Sequence, residues 1–171
     1  MAEPTSLLAR VRRLEIWVPL IIIVLDQFTK WLVRVKVPLY SSVQIIPNFL
    51  DFTHVRNTGT AFGFLDNVVF PGKTLVIGIV AICALIAVAL YAGTMATQQL
   101  LARLGMALII GGAAGNLIDR LAVGSVVDFV DAYWGSFHFW AFNVADSAIS
   151  VGVALMILDM IRTGTHASNP A

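Results

Sequence analysis

The sequence contains few charged side chains, because Asp, Glu, Lys and Arg together make up 12% of its 171 residues. Soluble domains carry about 25%. Hydrophobic residues make up 58% of the chain, and the mean hydropathy is +0.86. This composition excludes a soluble globular domain and predicts an integral membrane protein. The net charge of +1 gives no basis for a nucleic-acid partner.

Cysteine and histidine are also scarce. The single cysteine, Cys83, lies inside an apolar run, which excludes an internal disulfide and disfavours a nucleophilic thiolate. His54 and His138 do not have a metal-ligand spacing with acidic residues, and Ser147 has no neighbouring base in the sequence. We therefore expect neither a metal nor another cofactor.

Long apolar runs, in contrast, are abundant. About 20 apolar residues are needed to cross a bilayer as a helix. Runs that meet this requirement predict four membrane-spanning helices, at about 14–33, 74–92, 101–121 and 141–161. The chain is therefore expected to form a single α-helical membrane domain, with short tails at 1–13 and 162–171.

The first run follows three arginines, Arg10, Arg12 and Arg13, and no small-residue cleavage site comes after it. It is therefore predicted to be a membrane helix, not a signal peptide. The arginines favour a cytoplasmic amino terminus, and four spans return the carboxyl terminus to the same side. The segments 35–72 and 122–140 are then extracytoplasmic.

These two segments differ in composition. Strand-like sequence at 43–46 and 49–55 predicts a small β-element on the membrane surface, ending at the turn Asn57-Thr58-Gly59. Phe62 and Phe64 beside that turn suit an interfacial position. The segment 122–140 is rich in aromatic residues and is predicted to be a surface loop or short helix.

Three polar clusters interrupt the apolar sequence, at 111–120, 126–131 and 142–147. Such residues are costly in a bilayer and usually indicate a functional site. Asn116 and Asp119 are three residues apart, as are Asn143 and Asp146, so each pair shares a helix face. With a rise of about 1.5 Å per residue, both faces are expected just below the outer surface.

Two carboxylates that share a site cannot both be ionised cheaply, so one of them retains a proton. Such a pair activates water in an aspartic protease, but it also suits a four-span transporter or channel that binds protons or cations. The residues alone do not distinguish a protease from a transporter or channel. They also do not decide whether Asp119 or Asp128 is the partner of Asp146. Asp26 and Lys30, at i and i+4, are predicted to form a structural ion pair.

Five stretches together resemble the lipoprotein signal peptidase (signal peptidase II) family over most of the chain. They are Asp-Gln-Phe-Thr-Lys at 26–30, Arg-Asn-Thr-Gly-Thr-Ala-Phe at 56–62, Gly-Gly-Ala-Ala-Gly-Asn-Leu-Ile-Asp-Arg at 111–120, Val-Val-Asp-Phe at 126–129 and Phe-Asn-Val-Ala-Asp-Ser at 142–147. The resemblance implies an aspartyl endopeptidase of the bacterial inner membrane. The implied substrate is a diacylglyceryl-modified prolipoprotein, cut on the amino side of its lipidated cysteine, and the implied inhibitor is globomycin.

The resemblance also implies roles for individual residues. The catalytic dyad would be Asp128 and Asp146, near the extracytoplasmic face. Supporting and substrate-binding positions would be Asn57, Asn116, Asp119, Arg120, Asn143, Asp26 and Lys30. Asp119 adjoins Arg120, and an interaction between them would hold Asp119 ionised and leave Asp128 for the dyad. All the motifs lie in one chain, so a monomer surrounded by membrane lipid is expected to suffice.

Overall fold

Four long helices form the body of the protein. The computed structural model describes the backbone of residues 4–59 and 70–167, and the side-chain surroundings of 13–59 and 70–162. The helices are α1 (Pro4–Lys36), α2 (Lys73–Thr94), α3 (Leu100–Val123) and α4 (Val144–Ala167). The portions long and apolar enough to cross a membrane are Arg13–Lys36, Lys73–Thr94, Leu100–Val123 and Val144–Arg162. The predicted four-span helical fold is confirmed. Phe62 and Phe64, predicted to lie at the interface, fall outside the described residues.

A four-stranded antiparallel sheet lies at one end of the helices. Its strands are β1 (Ser42–Ile46), β2 (Leu50–Asn57), β3 (Val126–Trp134) and β4 (Phe137–His138), in the order β1-β2-β3-β4. The small β-element predicted in the first extramembrane segment is therefore confirmed.

The prediction of a loop or short helix in the second extramembrane segment is wrong. This segment supplies β3 and β4, and β3 pairs with β2, so that Asn57 lies opposite Val126 and Val55 opposite Asp128. The run of β-branched and aromatic residues that begins at Val126 fits a pleated surface, and partner strand β2 satisfies its backbone groups. Gly135, with φ 61°, makes the turn into β4.

The sheet is attached to the helices by a small apolar cluster. Val33, in the last turn of α1, and Val37, just after the helix, contact Val127 and Phe129 of β3, and all four side chains are buried. Because β3 begins soon after α3 ends, this contact fixes the strand above the ends of α1 and α3. The sheet and the helices therefore present side chains to one common space.

Helix α3 lies at the centre and packs against the other three helices. Its glycines permit close approach to α4: a Cβ atom added at Gly105 would lie 2.5 Å from the backbone oxygen of Gly152. A Cβ atom at Gly112 would overlap the backbone oxygen of Ala145 and lie 2.8 Å from the Ile149 side chain. Small residues thus bring α3 and α4 together at two levels, as is usual in membrane helix pairs.

The chain before α4 remains extended along β3. The backbone N–H of Phe142 donates to the Val130 carbonyl at 3.1 Å, and the Val130 N–H donates to the Phe142 carbonyl at 2.8 Å. The helix therefore begins at Val144, later than the apolar run that starts at 141. This boundary places Asp146 in the first turn of α4.

Candidate active site

A buried charge network connects α1 to α3. The Lys30 ammonium lies 2.8 Å from a carboxylate oxygen of Asp26, which confirms the predicted i,i+4 ion pair. The same Nζ lies 3.2 Å from Asp119 and donates to the Asn116 side-chain oxygen at 2.8 Å. Asp26 and Lys30 are both 0% exposed, so the charges stabilise one another away from water.

Asp119 belongs to this network and not to a pair with its neighbour in sequence. Its carboxylate lies 2.7 Å from the guanidinium of Arg34, and it accepts the Val127 backbone N–H at 3.2 Å. Arg120 instead donates to the Gly59 carbonyl at 3.1 Å and to the Asn116 carbonyl at 3.3 Å.

The predicted interaction of Asp119 with Arg120 is therefore not a direct ion pair, and Arg120 acts on Asp119 only through a Coulombic attraction. Adjacent residues of a helix project about 100° apart, so their side chains leave α3 on different sides. Within the described residues, Lys30 and Arg34 are the cations that pair with Asp119.

Asn143 and Asp146 form a reciprocal cap at the start of α4. The Asp146 backbone N–H donates to the Asn143 side-chain oxygen at 2.9 Å, and the Asn143 backbone N–H donates to the Asp146 carboxylate at 3.3 Å. This is the hydrogen-bond pattern of a capping box, built from Asn and Asp. The backbone N–H of Ala145, which lies between these two residues, donates to the Asp26 carboxylate at 3.0 Å. This hydrogen bond connects the start of α4 to α1.

Asp128, in β3, lies next to this cap. One of its carboxylate oxygens accepts the Asn143 amide at 2.7 Å, and the other accepts the Asn57 amide at 3.0 Å. Asp146 accepts the Asn116 amide at 2.8 Å, and Asn143 also donates to the Asn116 oxygen at 3.2 Å. A continuous set of amides thus joins Asp128 to Asp146.

The environment of Asp128 favours its protonated form. Burial, and then the negative charge of Asp146, raise the pKa of Asp128 to about 7. The amides of Asn57 and Asn143 and the charge of Lys30 act in the opposite direction but do not cancel the increase.

Both carboxylates line a cavity of about 850 Å³ between α2, α3, α4 and the sheet. Arg120 and Asn57 also line it, whereas Asp119 does not. Its remaining wall is mostly apolar and includes Val76, Ile77, Val80, Ala81, Ala84, Ile149 and Val151. The volume is in the range of small-molecule binding sites, and the polar groups come from the sheet and the helix ends beside it.

Of the residues predicted for the site, Asp128, Asp146, Asn57, Asn116, Arg120 and Asn143 meet at the cavity or at the amides behind it. Asp26, Lys30 and Asp119 lie behind them, in the network between α1 and α3. The sequence reasoning missed Arg34 and Gln27, which hydrogen-bond to Asp119. Two signals in the sequence point to them. Arg34 follows Lys30 by four residues and Gln27 precedes it by three, and both are polar residues inside a membrane span.

No group of three His, Cys, Asp or Glu side chains within the described ranges is arranged to hold a metal ion.

Comparison with known proteins agrees with this architecture. A solved structure described as a bacterial membrane enzyme, determined at 2.3 Å resolution, matches with a TM-score of 0.80 and 31% identity, over 92% of this chain and 93% of that one. A second solved structure with the same description, at 1.9 Å resolution, matches with a TM-score of 0.75. The match covers 85% of this chain and 91% of that one.

Sequence relatives carry a consistent name. A lipoprotein signal peptidase of Geobacter metallireducens is 46% identical over 140 residues, which cover 82% of this chain and 85% of the relative. One from Solibacter usitatus is 40% identical over 87% and 91% of the two chains. These names give no support to a transporter. The family described as Signal peptidase (SPase) II matches residues 18–162, and the chain therefore belongs to the signal peptidase II family.

Proposed function

We propose that this chain is an aspartic endopeptidase that removes the signal peptide from diacylglyceryl-modified prolipoproteins. The bond cut is the one on the amino side of the lipidated cysteine. The observation that carries the proposal is the pair Asp128 and Asp146, which line one apolar cavity and are joined through the linked amides of Asn143 and Asn116. The name of the relatives, lipoprotein signal peptidase, supports the substrate class.

The chemistry follows from having one ionised and one protonated carboxyl group. The ionised group takes a proton from a water molecule, whose oxygen forms a bond to the scissile carbonyl carbon. The protonated group gives its proton to the carbonyl oxygen, which produces a tetrahedral diol. The C–N bond then breaks as the first carboxyl group protonates the nitrogen and the second takes a proton from a diol hydroxyl. This leaves a carboxylic acid and an amine, and returns both carboxyl groups to their starting states.

The other polar residues have supporting roles in this proposal. Asn57 and Asn143 hold Asp128, and Asn116 holds Asp146. Arg120 lines the cavity and holds the Gly59 carbonyl, so its guanidinium is placed to orient the substrate backbone. The remaining supporting residues stabilise the junction of α1, α3 and α4; they are Asp26, Lys30 and Asp119.

The apolar cavity wall suits a substrate that stays partly in the membrane. The side chains of α2 and α4 that line the cavity would contact the apolar part of the signal peptide, while the acyl chains remain among lipids. We place the chain in the bacterial inner membrane as a monomer, with the dyad near the extracytoplasmic face. Globomycin is expected to bind this cavity and block cleavage.

The test is cleavage by the purified full chain in lipid or detergent. A diacylglyceryl-modified prolipoprotein is compared with the same prolipoprotein lacking the diacylglyceryl group. We expect the modified substrate alone to yield a product that begins at the lipidated cysteine, and globomycin to stop the reaction. A folded chain that leaves the modified substrate intact would overturn the proposal.

The protonation of Asp128 predicts how cleavage depends on pH. Because the pKa of Asp128 is raised to about 7, raising the pH through this value removes the proton that polarises the scissile carbonyl. We expect kcat/KM to fall above about pH 7, approaching a tenfold loss per pH unit. A pH–rate profile with the modified substrate checks this. A rate that stays constant up to pH 9 would contradict the proton-donor role.

A further inference from the structure

Lys30 lies behind the cavity and does not line it, yet its hydrogen bonds lead to the dyad. An ammonium group has three N–H donors. Here the acceptors within 3.2 Å are Asp26, Asp119 and the side-chain oxygen of Asn116. The first two are carboxylates that neutralise the charge, whereas the third is a neutral amide that itself contacts Asp146.

The contact with Lys30 determines which way the Asn116 amide points. The Asn116 oxygen accepts from Lys30 at 2.8 Å and from Asn143 at 3.2 Å, so its NH₂ group faces Asp146 at 2.8 Å. The reversed amide would direct N–H groups at the ammonium and a lone pair at the carboxylate. Lys30 therefore fixes Asn116 as a donor to Asp146, and the nearby cation polarises that donor.

The two carboxyl groups of the dyad differ in their remaining surroundings. Asp146 lies in the first turn of α4 and accepts the Asn143 backbone N–H at 3.3 Å, where the helix dipole favours a negative charge. Asp128 lies in a strand and accepts two neutral side-chain amides, from Asn57 and Asn143. The cation-linked amide and the helix terminus therefore both act on Asp146.

We propose that Lys30 is a positioning residue that acts through the Asn116 amide to keep Asp146 ionised. Asp146 is then the carboxylate that takes the proton from water, and Asp128 is the group that protonates the scissile carbonyl. This inference rests on the proposed peptidase function, in which Asp128 is the proton donor, and adds how the ionised state of Asp146 is maintained.

The charged groups around Asp146 allow a test in which two substitutions shift its ionisation in opposite directions. On α1 these are Lys30, which favours the negative charge, and Asp26, which opposes it. On α3 and β3 they are Arg120 and Asp128, and Asp119 of α3 pairs with the same Lys30. Replacing Lys30 and replacing Asp26 must therefore affect the ionisation of Asp146 in opposite directions. General damage to the fold would lower activity in both variants without opposite shifts.

The experiment measures kcat and KM against pH with the modified substrate for the parent chain, Lys30→Met and Asp26→Asn. We expect the acid limb of kcat/KM to move to higher pH by about one unit in Lys30→Met and to lower pH in Asp26→Asn. Near pH 6, Lys30→Met should lose activity mainly in kcat, with KM within about twofold. Arg34→Gln is the control, because Arg34 contacts Asp119 and not Asn116, and its acid limb should match that of the parent.

If Lys30→Met does not fold, the double variant Asp26→Asn/Lys30→Met is compared with Asp26→Asn, because removing a buried pair together is better tolerated. The double variant should then have its acid limb at higher pH than Asp26→Asn. An acid limb that does not move, or movement of the alkaline limb alone, would overturn the assignment. A parent chain that fails to cleave at all would instead refute the proposed function.

Discussion

Cleavage by the Asp128→Asn variant is expected to be about 10⁴-fold slower than cleavage by the parent chain, which is the upper end of what a general acid or base contributes. Asparagine keeps the size of the side chain but cannot deliver and recover a proton. It also supplies one acceptor where Asp128 accepts two amides, from Asn57 and Asn143, so a small loss of stability accompanies the loss of activity. Initial rates with the diacylglyceryl-modified substrate check the result.

The matching variant Asp146→Asn should lose a similar factor in kcat. It also weakens the cap of α4, because Asp146 accepts the Asn143 backbone N–H. Thermal unfolding of each variant must therefore accompany the rate measurement.

Asp131→Asn is the matched control for both variants. Asp131 lies on β3 with Asp128, but it pairs with His138 at 2.9 Å and does not line the cavity. We expect its rate to stay within twofold of the parent. If Asp128→Asn cleaves at the parent rate while Asp119→Asn is inactive, Asp119 and not Asp128 is the partner of Asp146.

The second large effect concerns stability. Gly112→Val is expected to lower the free energy of unfolding by about 3 kcal/mol, because a side chain there meets the backbone of Ala145, which cannot rotate away. For a chain of this size the melting temperature would fall by about 10 °C. Because Ala145 precedes Asp146, displacement of α4 should also lower the cleavage rate. Thermal denaturation in detergent measures the first effect and initial rates the second.

Gly78→Val controls for the intrinsic effect of replacing a helical glycine with valine. Gly78 lies in α2, and nothing is within 4 Å of a Cβ atom added there. Its stability should stay within about 0.5 kcal/mol of the parent, because valine and glycine differ little in helix propensity. Equal melting temperatures for the two variants would contradict the close contact of α3 with α4 at Gly112.

Sequence patterns predicted the helices well because bilayer thickness imposes a length that apolar runs reveal directly. They predicted the pairing of Asp26 with Lys30 because a helix brings i and i+4 together without help from the rest of the fold. The partners of Asp119 could not be found in this way. Lys30 and Arg34 reach Asp119 from another helix, and such contacts depend on how α1 and α3 are rotated about their axes.

The spacing of Asn143 and Asp146 also had two structural explanations that sequence could not separate. The spacing fits two residues on one helix face, but Asn143 is the capping residue of α4, and its side-chain oxygen accepts the Asp146 N–H. The distinction depends on where α4 begins, and the extended pairing of Phe142 with Val130 determines that. Likewise, the local sequence does not predict β3, because its partner strand β2 lies about 70 residues earlier in the chain.

The Asn143 side chain has two structural roles, and this limits which substitutions the position can accept in evolution. One amide group holds Asp128 and contacts Asn116, while the oxygen of the same side chain caps the helix that carries Asp146. A single replacement there is expected to disturb the hydrogen bonds of Asp128 and the start of α4 together, so few substitutions at this position should be neutral. Under the proposed function, a variant selected to evade an inhibitor bound in the cavity is therefore expected to change along its apolar wall, which includes side chains of α2.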